Sequence, residues 1–205
     1  MKRPLTYLKA LFPWPVDKPN VPPRRERWFS KQKQILLRKV VPRDAKLVVE
    51  LGSWYGDSTK WFLQHCPNAT VVAVDTWLGS AEHLIKKRAV LKTLYETFLV
   101  NCWEHRSRLV PFRNTSLAAL NFLSGLRLKP DVMYFDSDHS YWGLLAELET
   151  AQTLFPKAIF IGDDYTGGSI LTSIAEFTRY QRFGQCRGWK VEHQHDSWHI
   201  VKESK

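Results

Sequence analysis

Residues 46–66, KLVVELGSWYGDSTKWFLQHC, decide the fold. The run "KLVVEL" (46–51) is short, apolar and rich in valine, the composition of a strand covered on both faces. It stops at Gly52, and a second glycine, Gly56, stands just before a helical stretch at 57–66. Glycine at these points lets the backbone turn tightly and come close to a ligand, while a helix N-terminus offers free N–H groups. A strand, a glycine turn and a helix together open a parallel α/β unit.

The alternation continues along the chain. Further buried-strand runs are "TVVAVD" (70–75), "RLVPFR" (108–113), "PDVMYF" (130–135) and "KAIFIG" (157–162). Helical stretches lie between and after them, at about 83–105, 116–127, 140–154 and 169–183. Two last strands, around 188–193 and 197–202, are too close together for a helical crossover and should pair antiparallel. The pattern predicts an α/β fold, a doubly wound and mostly parallel sheet with helices on both faces.

A chain of 205 residues suits one such domain. No apolar run approaches the roughly 20 residues of a membrane helix, and the N-terminus does not resemble a secretory signal. Cys66, Cys102 and Cys186 are odd in number and widely spaced, which indicates neither a disulfide framework nor a zinc cluster. A reducing, cytoplasmic setting is the expectation. The net charge of +10 is unevenly placed: residues 1–46 hold 13 Lys and Arg against 3 Asp and Glu, and the rest is balanced. With Pro4, Pro13, Pro15, Pro19, Pro22 and Pro23, residues 1–23 read as an irregular basic arm that the fold does not need. A leading basic segment (24–45), helical over about 24–40, joins the arm to the first strand, and 24–205 form the single domain. The arm carries Tyr7, Phe12 and Trp14, and Trp28 and Phe29 follow it. Such a segment either docks on an anionic partner (lipid, nucleic acid or acidic polymer) or packs its aromatics on its own domain.

In open parallel sheets, ligands bind beyond the carboxyl ends of the strands. Here those ends are "ELGSWYGDST", "DTWLGS", "RNTS", "DSDHS" and "GDDYTGG", all polar or glycine-rich. The first lacks G-x-G-x-x-G, because Trp54 takes the middle glycine position, and no Gly-Lys-Ser/Thr is present. Glu50 would repel a pyrophosphate but suits an ammonium group. Asp75, ending the second strand, can accept both hydroxyls of a ribose. An amino acid joined to a ribose without phosphate describes S-adenosylmethionine.

With these residues the chain resembles the class I S-adenosylmethionine-dependent methyltransferases. The loop E-L-G-x-x-x-G-x-S at 50–58 is similar to that of the catechol and sugar O-methyltransferases. The resemblance spans about 46–202 and implies a seven-stranded Rossmann-like sheet with an antiparallel last strand. It implies that Glu50, Gly52 and Ser58 hold the methionine end of the cofactor and Asp75 the ribose, with Trp77 and Ser116 near the adenine. The neighbouring loop residues Ser53, Trp54, Gly56 and Thr76, and Asp136 at the fourth strand end, are assigned to the same cofactor.

Asp136 and the pair Asp163–Asp164 end consecutive strands, which are usually neighbours in a right-handed crossover. Three carboxylates at one spot repel one another, and a hard divalent ion removes that repulsion. All-oxygen ligation favours Mg²⁺, Mn²⁺ or Ca²⁺. The resemblance implies the same ligand set, Asp136, Asp163 and Asp164, and places His139 as general base. His139 equally fits a helix-start histidine with a structural hydrogen bond, and Asp138 fits a helix cap. His193, His195 and His199 lie close in sequence but have no carboxylate or thiol cluster with them, so a metal there is not expected. The segment 83–105 is amphipathic and fits core packing or a substrate lid.

The expectation is a divalent-metal-dependent O-methyltransferase acting on a hydroxyl of a small molecule or sugar. Two rivals stand beside it: an RNA or polymer methyltransferase, and a noncatalytic cofactor-binding module that docks through its basic arm.

Overall fold

The structure is a computed structural model and describes residues 2–26, 28–80, 83, 85, 88–166, 168–179 and 188–202. Cys186 and the end of the helix expected over 169–183 lie outside the described residues.

Valine-rich runs become strands because β-branched side chains suit a pleated, covered surface. β1 (Leu47–Leu51), β2 (Thr70–Asp75), β3 (Leu109–Arg113), β4 (Val132–Phe135) and β5 (Ile159–Gly162) are parallel, and β6 (Lys190–Gln194) and β7 (Ser197–Val201) follow. The seven strands stand in the order β3-β2-β1-β4-β5-β7-β6. β7 runs antiparallel to both of its neighbours, as the short 188–202 spacing predicts. The order reverses beside β1, where the next strand added is β4, and a doubly wound sheet opens its ligand crevice at such a point. Pro111 is tolerated within β3 because β3 is an edge strand.

Alternate strand residues face two apolar layers. Val72 and Val74 face the helices α6 (Ser116–Gly125), α7 (Tyr141–Leu154) and α8 (Gly168–Arg179). Val71 and Ala73 face α2 (Lys33–Val40), α3 (Asp57–His65) and α5 (Leu94–Cys102). The helical segment expected over 83–105, as one helix or a pair, contains α4 (Arg88–Leu91), α5 and the start of a 3₁₀ stretch, Trp103–Arg108. Among the described residues, no helix is long and apolar enough to cross a membrane.

The N-terminal region differs most from its sequence reading. A helix, α1 (Lys2–Leu11), occupies the start of the expected arm. Pro4 does not prevent it, because in the first turn a helix has no partner for the missing N–H. Leu8 on this helix is fully buried in the core, and Leu5 and Phe12 pack beside it. Phe12 meets Phe112 in a tilted ring contact at 4.2 Å, Trp14 Nε1 donates to the Leu109 carbonyl at 2.9 Å, and Lys9 Nζ donates to the Ser107 carbonyl at 2.7 Å. The helix expected over 24–40 is shorter, beginning only at Lys33. Upstream of it, Trp28 and Phe29 lie against Trp54 and Trp61, and the Arg24 carbonyl accepts from Asn101 Nδ2. Tertiary contacts here override the helical pattern.

Candidate active site

The glycine loop turns on three residues with positive φ, Gly52 (85°), Trp54 (44°) and Gly56 (82°). A Cβ at Gly52 would stand 2.0 Å from the Asp136 carbonyl oxygen, so only glycine lets the loop lie on the end of β4. Asp75 ties the loop to β2. Its Oδ2 accepts the amides of Ser53 at 3.0 Å and Trp54 at 2.9 Å, and its Oδ1 accepts that of Trp77 at 2.7 Å. A carboxylate has about four acceptor sites, so Asp75 keeps capacity for a ligand donor.

Glu50 is fully buried beneath this loop. It accepts from Ser53 Oγ at 2.8 Å, from Ser58 Oγ at 2.5 Å and from Thr59 Oγ1. Burial raises its pKa to about 7, and the three hydroxyl donors hold that rise in check. Thr59, in the first turn of α3, joins the expected Ser53 and Ser58 in this group.

Trp77, for which the resemblance implies a place near the adenine, stands behind the glycine loop. It is only 2 % exposed, lies between Tyr95 and Phe98, and donates its indole N–H to the Trp54 carbonyl at 3.0 Å. It therefore braces the loop from the core. The Trp54 ring meets that of His83 in a tilted contact at 4.4 Å. Thr76 Oγ1 accepts the Leu78 amide, which shapes the turn after β2. Ser116 opens α6 and, with Ser137, hydrogen-bonds Glu147 of α7; the Ser137 Oγ distance is 2.6 Å. Glu147 is 3 % exposed, and burial lifts its pKa to about 7. Sequence reasoning missed it, because its helical position gives no sign that it points under the cleft.

At the ends of β4 and β5, His139 Nε2 lies 3.6 Å from Asp136 Oδ1 and 3.3 Å from Asp164 Oδ2. Ligating atoms of Asp136, His139 and Asp164 fall within 4.8 Å of one another. The hydrogen bond to Asp136 raises the His139 pKa, and burial raises that of Asp136. Asp164 takes a left-handed φ of 60°, which aspartate tolerates better than most residues.

The third expected ligand, Asp163, is not in this group. Its Oδ2 receives Lys33 Nζ at 2.5 Å, and Lys33 also lies 3.5 Å from Asp164 Oδ1. Burial alone would lower the Lys33 pKa, but the bond to Asp163 and the surrounding carboxylates outweigh it and raise it. The expected cluster is therefore split, with Asp163 neutralised from α2 and the other two carboxylates shared with His139. Asp138 accepts the Ser140 amide at 2.8 Å, and Ser140 caps α7 through the Gly143 amide. His193 stacks on Tyr165, and His199 lies 4.0 Å from Glu192. Neither joins a metal-ligating group among the described residues.

Comparison with known proteins agrees with this architecture. No curated protein matches the chain. An O-methyltransferase from Bacillus cereus, solved in complex with S-adenosylhomocysteine, is 16% identical with a TM-score of 0.58, covering 98% of this chain and 90% of that one. The methyltransferase PaMTH1 of Podospora anserina, also bound to S-adenosylhomocysteine, is 14% identical with a TM-score of 0.52, over 82% and 75%. Fibrillarin of Aeropyrum pernix, in complex with natively bound S-adenosyl-L-methionine, is 12% identical with a TM-score of 0.55, over 85% and 75%. At such identities the likeness is one of fold. A family described as a methyltransferase domain matches residues 49–165, more than half of the chain. Because that match runs from β1 past the ends of β2, β3, β4 and β5, through the residues that build the cleft, the chain belongs to the methyltransferase domain family.

Proposed function

We propose that the chain transfers a methyl group from S-adenosylmethionine to a hydroxyl of a small molecule, a sugar or similar polyol. In this reading a divalent ion (Mg²⁺, Mn²⁺ or Ca²⁺) is held by Asp136 and Asp164, with His139 beside it as general base. The observation that carries it is the convergence of Asp136, His139 and Asp164 directly against the glycine loop, which rests on Asp136 through Gly52.

The residues fit both groups. For the cofactor, Asp75 retains acceptor capacity at the end of β2, and the positive-φ loop brings backbone close to whatever lies over it. For the ion, two carboxylates with a neighbouring imidazole form a donor set suited to a hard or intermediate divalent cation. When bound, such an ion orients a hydroxyl and lowers its pKa. His139 then takes the hydroxyl proton, a task suited to an imidazole.

A second reading is favoured by the Lys33–Asp163 pair, which already removes one negative charge from the site. In it no ion is needed, and Asp136 and Asp164 orient His139 directly. The two separate in an assay of S-adenosylhomocysteine release with a panel of polyols. Loss of transfer on adding a chelator, with return on adding Mn²⁺, supports the first. Transfer that survives the chelator but drops about 10²–10⁴-fold in His139→Ala supports the second. Transfer to RNA and to no hydroxylated small molecule would overturn both substrate assignments.

The buried free thiols Cys66 and Cys102 fit a reducing, cytoplasmic setting. The basic N-terminal region, with its net charge of +10, fits an anionic partner, and salt-sensitive retention on nucleic acid or anionic vesicles tests that.

A further inference from the structure

Lys33 lies sixteen residues upstream of the family match, yet it reaches the carboxylates at the heart of the cleft. It is held at both ends. Its amide donates to Ser30 Oγ at 3.3 Å, its carbonyl accepts from Ser197 Oγ of β7 at 3.2 Å, and its ammonium ends on Asp163. Only 8 % of the residue is exposed. A buried ammonium is costly unless it is paired, and Asp163, itself 5 % exposed, supplies the pairing. Asp163 Oδ1 is buried with no hydrogen-bond partner among the described residues, so this aspartate has a second acceptor edge turned inward.

Charge decides what this arrangement does. With all three ionised, as ligation of a cation favours, Asp136, Asp163 and Asp164 would carry three negative charges, and Lys33 supplies one positive charge, leaving two for a divalent ion to balance. We infer that Lys33 is a positioning residue, a built-in cation that withdraws Asp163 from ion binding and leaves Asp136 and Asp164, beside His139, for an exchangeable divalent ion. The inference rests on the divalent-ion reading of the site. It also makes α2, outside the matched family segment, part of how this chain sets its affinity for the ion.

The test is calorimetric titration of the full chain with Mn²⁺ alone, in wild type, Lys33→Met and Lys33→Met/Asp163→Asn, each confirmed folded by a thermal melt. Lys33→Met should bind Mn²⁺ at least about tenfold more tightly, because a competing charge is gone and Asp163 is free to ligate. The double variant should lose that gain, because the released carboxylate is gone. If wild type binds Mn²⁺ and Lys33→Met binds it no more tightly, the inference is overturned while the ion reading stands. If only Lys33→Met binds, Lys33 does withhold Asp163, but the native site takes no ion, and the ion reading falls together with the part of the inference that leaves Asp136 and Asp164 for one. If neither binds, both fail. Should Lys33→Met not fold, Lys33→Gln, which keeps a stem and a polar tip, is judged by the same outcomes.

Discussion

Ser58 Oγ donates to Glu50 Oε1 at 2.5 Å, joining the first turn of α3 to the middle of the sheet across the glycine loop. With Ser53 and Thr59 on the other oxygen, Glu50 accepts from three hydroxyls in a site closed to water. Glu50→Gln keeps the shape but replaces one acceptor oxygen by an NH₂ group that faces hydroxyl oxygens. We expect it to lower unfolding stability by about 1–3 kcal/mol, measured by urea denaturation. An unchanged midpoint would show that the hydroxyls reorient without loss.

Glu147 provides a pH signature. Burial raises its folded pKa to about 7, above the ordinary glutamate value of 4.5, so the folded state holds this proton more tightly than the unfolded chain. Its contribution to stability is complete below about pH 4.5 and is lost as pH rises through 7. Wild type should therefore lose more stability between pH 5 and pH 8 than Glu147→Gln, by on the order of 1–3 kcal/mol. Urea midpoints for the two proteins at both pH values check this, and parallel curves would contradict it.

Asp75 holds the loop rather than merely facing it. Asp75→Ala removes the acceptor for the Ser53, Trp54 and Trp77 amides. Affinity for S-adenosylhomocysteine should fall by roughly 1.5–3 kcal/mol in calorimetric titration. Gly52→Ala should also weaken binding, because the added Cβ meets the Asp136 carbonyl at 2.0 Å and φ is +85°. Native affinity in both variants would place the cofactor elsewhere.

The N-terminal residues are expected to matter to the fold. Leu8 is fully buried, so Leu8→Ala should cost about 2–5 kcal/mol, as other large-to-small core changes do. Removing residues 1–23 should cost at least as much, since Phe12 and Trp14 leave with it. Chemical denaturation of both proteins is the check. Full stability in the truncated chain would restore the view of residues 1–23 as a dispensable arm.

The strands were legible because a covered strand writes itself locally, as in Leu47–Leu51 and Thr70–Asp75. The glycine loop was legible too, since Gly52 and Gly56 answer a backbone demand visible between a strand and a helix. What stayed hidden depends on distant partners. Lys33 meets Asp163 across 130 residues, and nothing near either residue announces it. The packing of Trp77 against Tyr95 and Phe98 likewise depends on α5, a separate element of the chain. Pro4 is compatible with α1 because it stands in the first turn, so its position and not its residue type decides its effect.

The Trp14 indole on the Leu109 carbonyl has a colloidal consequence. β3 is the margin of the sheet, and a bare strand margin is a template on which another chain can polymerise. Here Pro111 deletes one donor from β3, and Trp14 occupies one of its acceptors, so the margin is blunted from within the same molecule. A chain stripped of its first 23 residues should therefore become sticky as well as weak. Light scattering of that protein, held well below its melting temperature, should show growth of aggregates that the intact chain does not form.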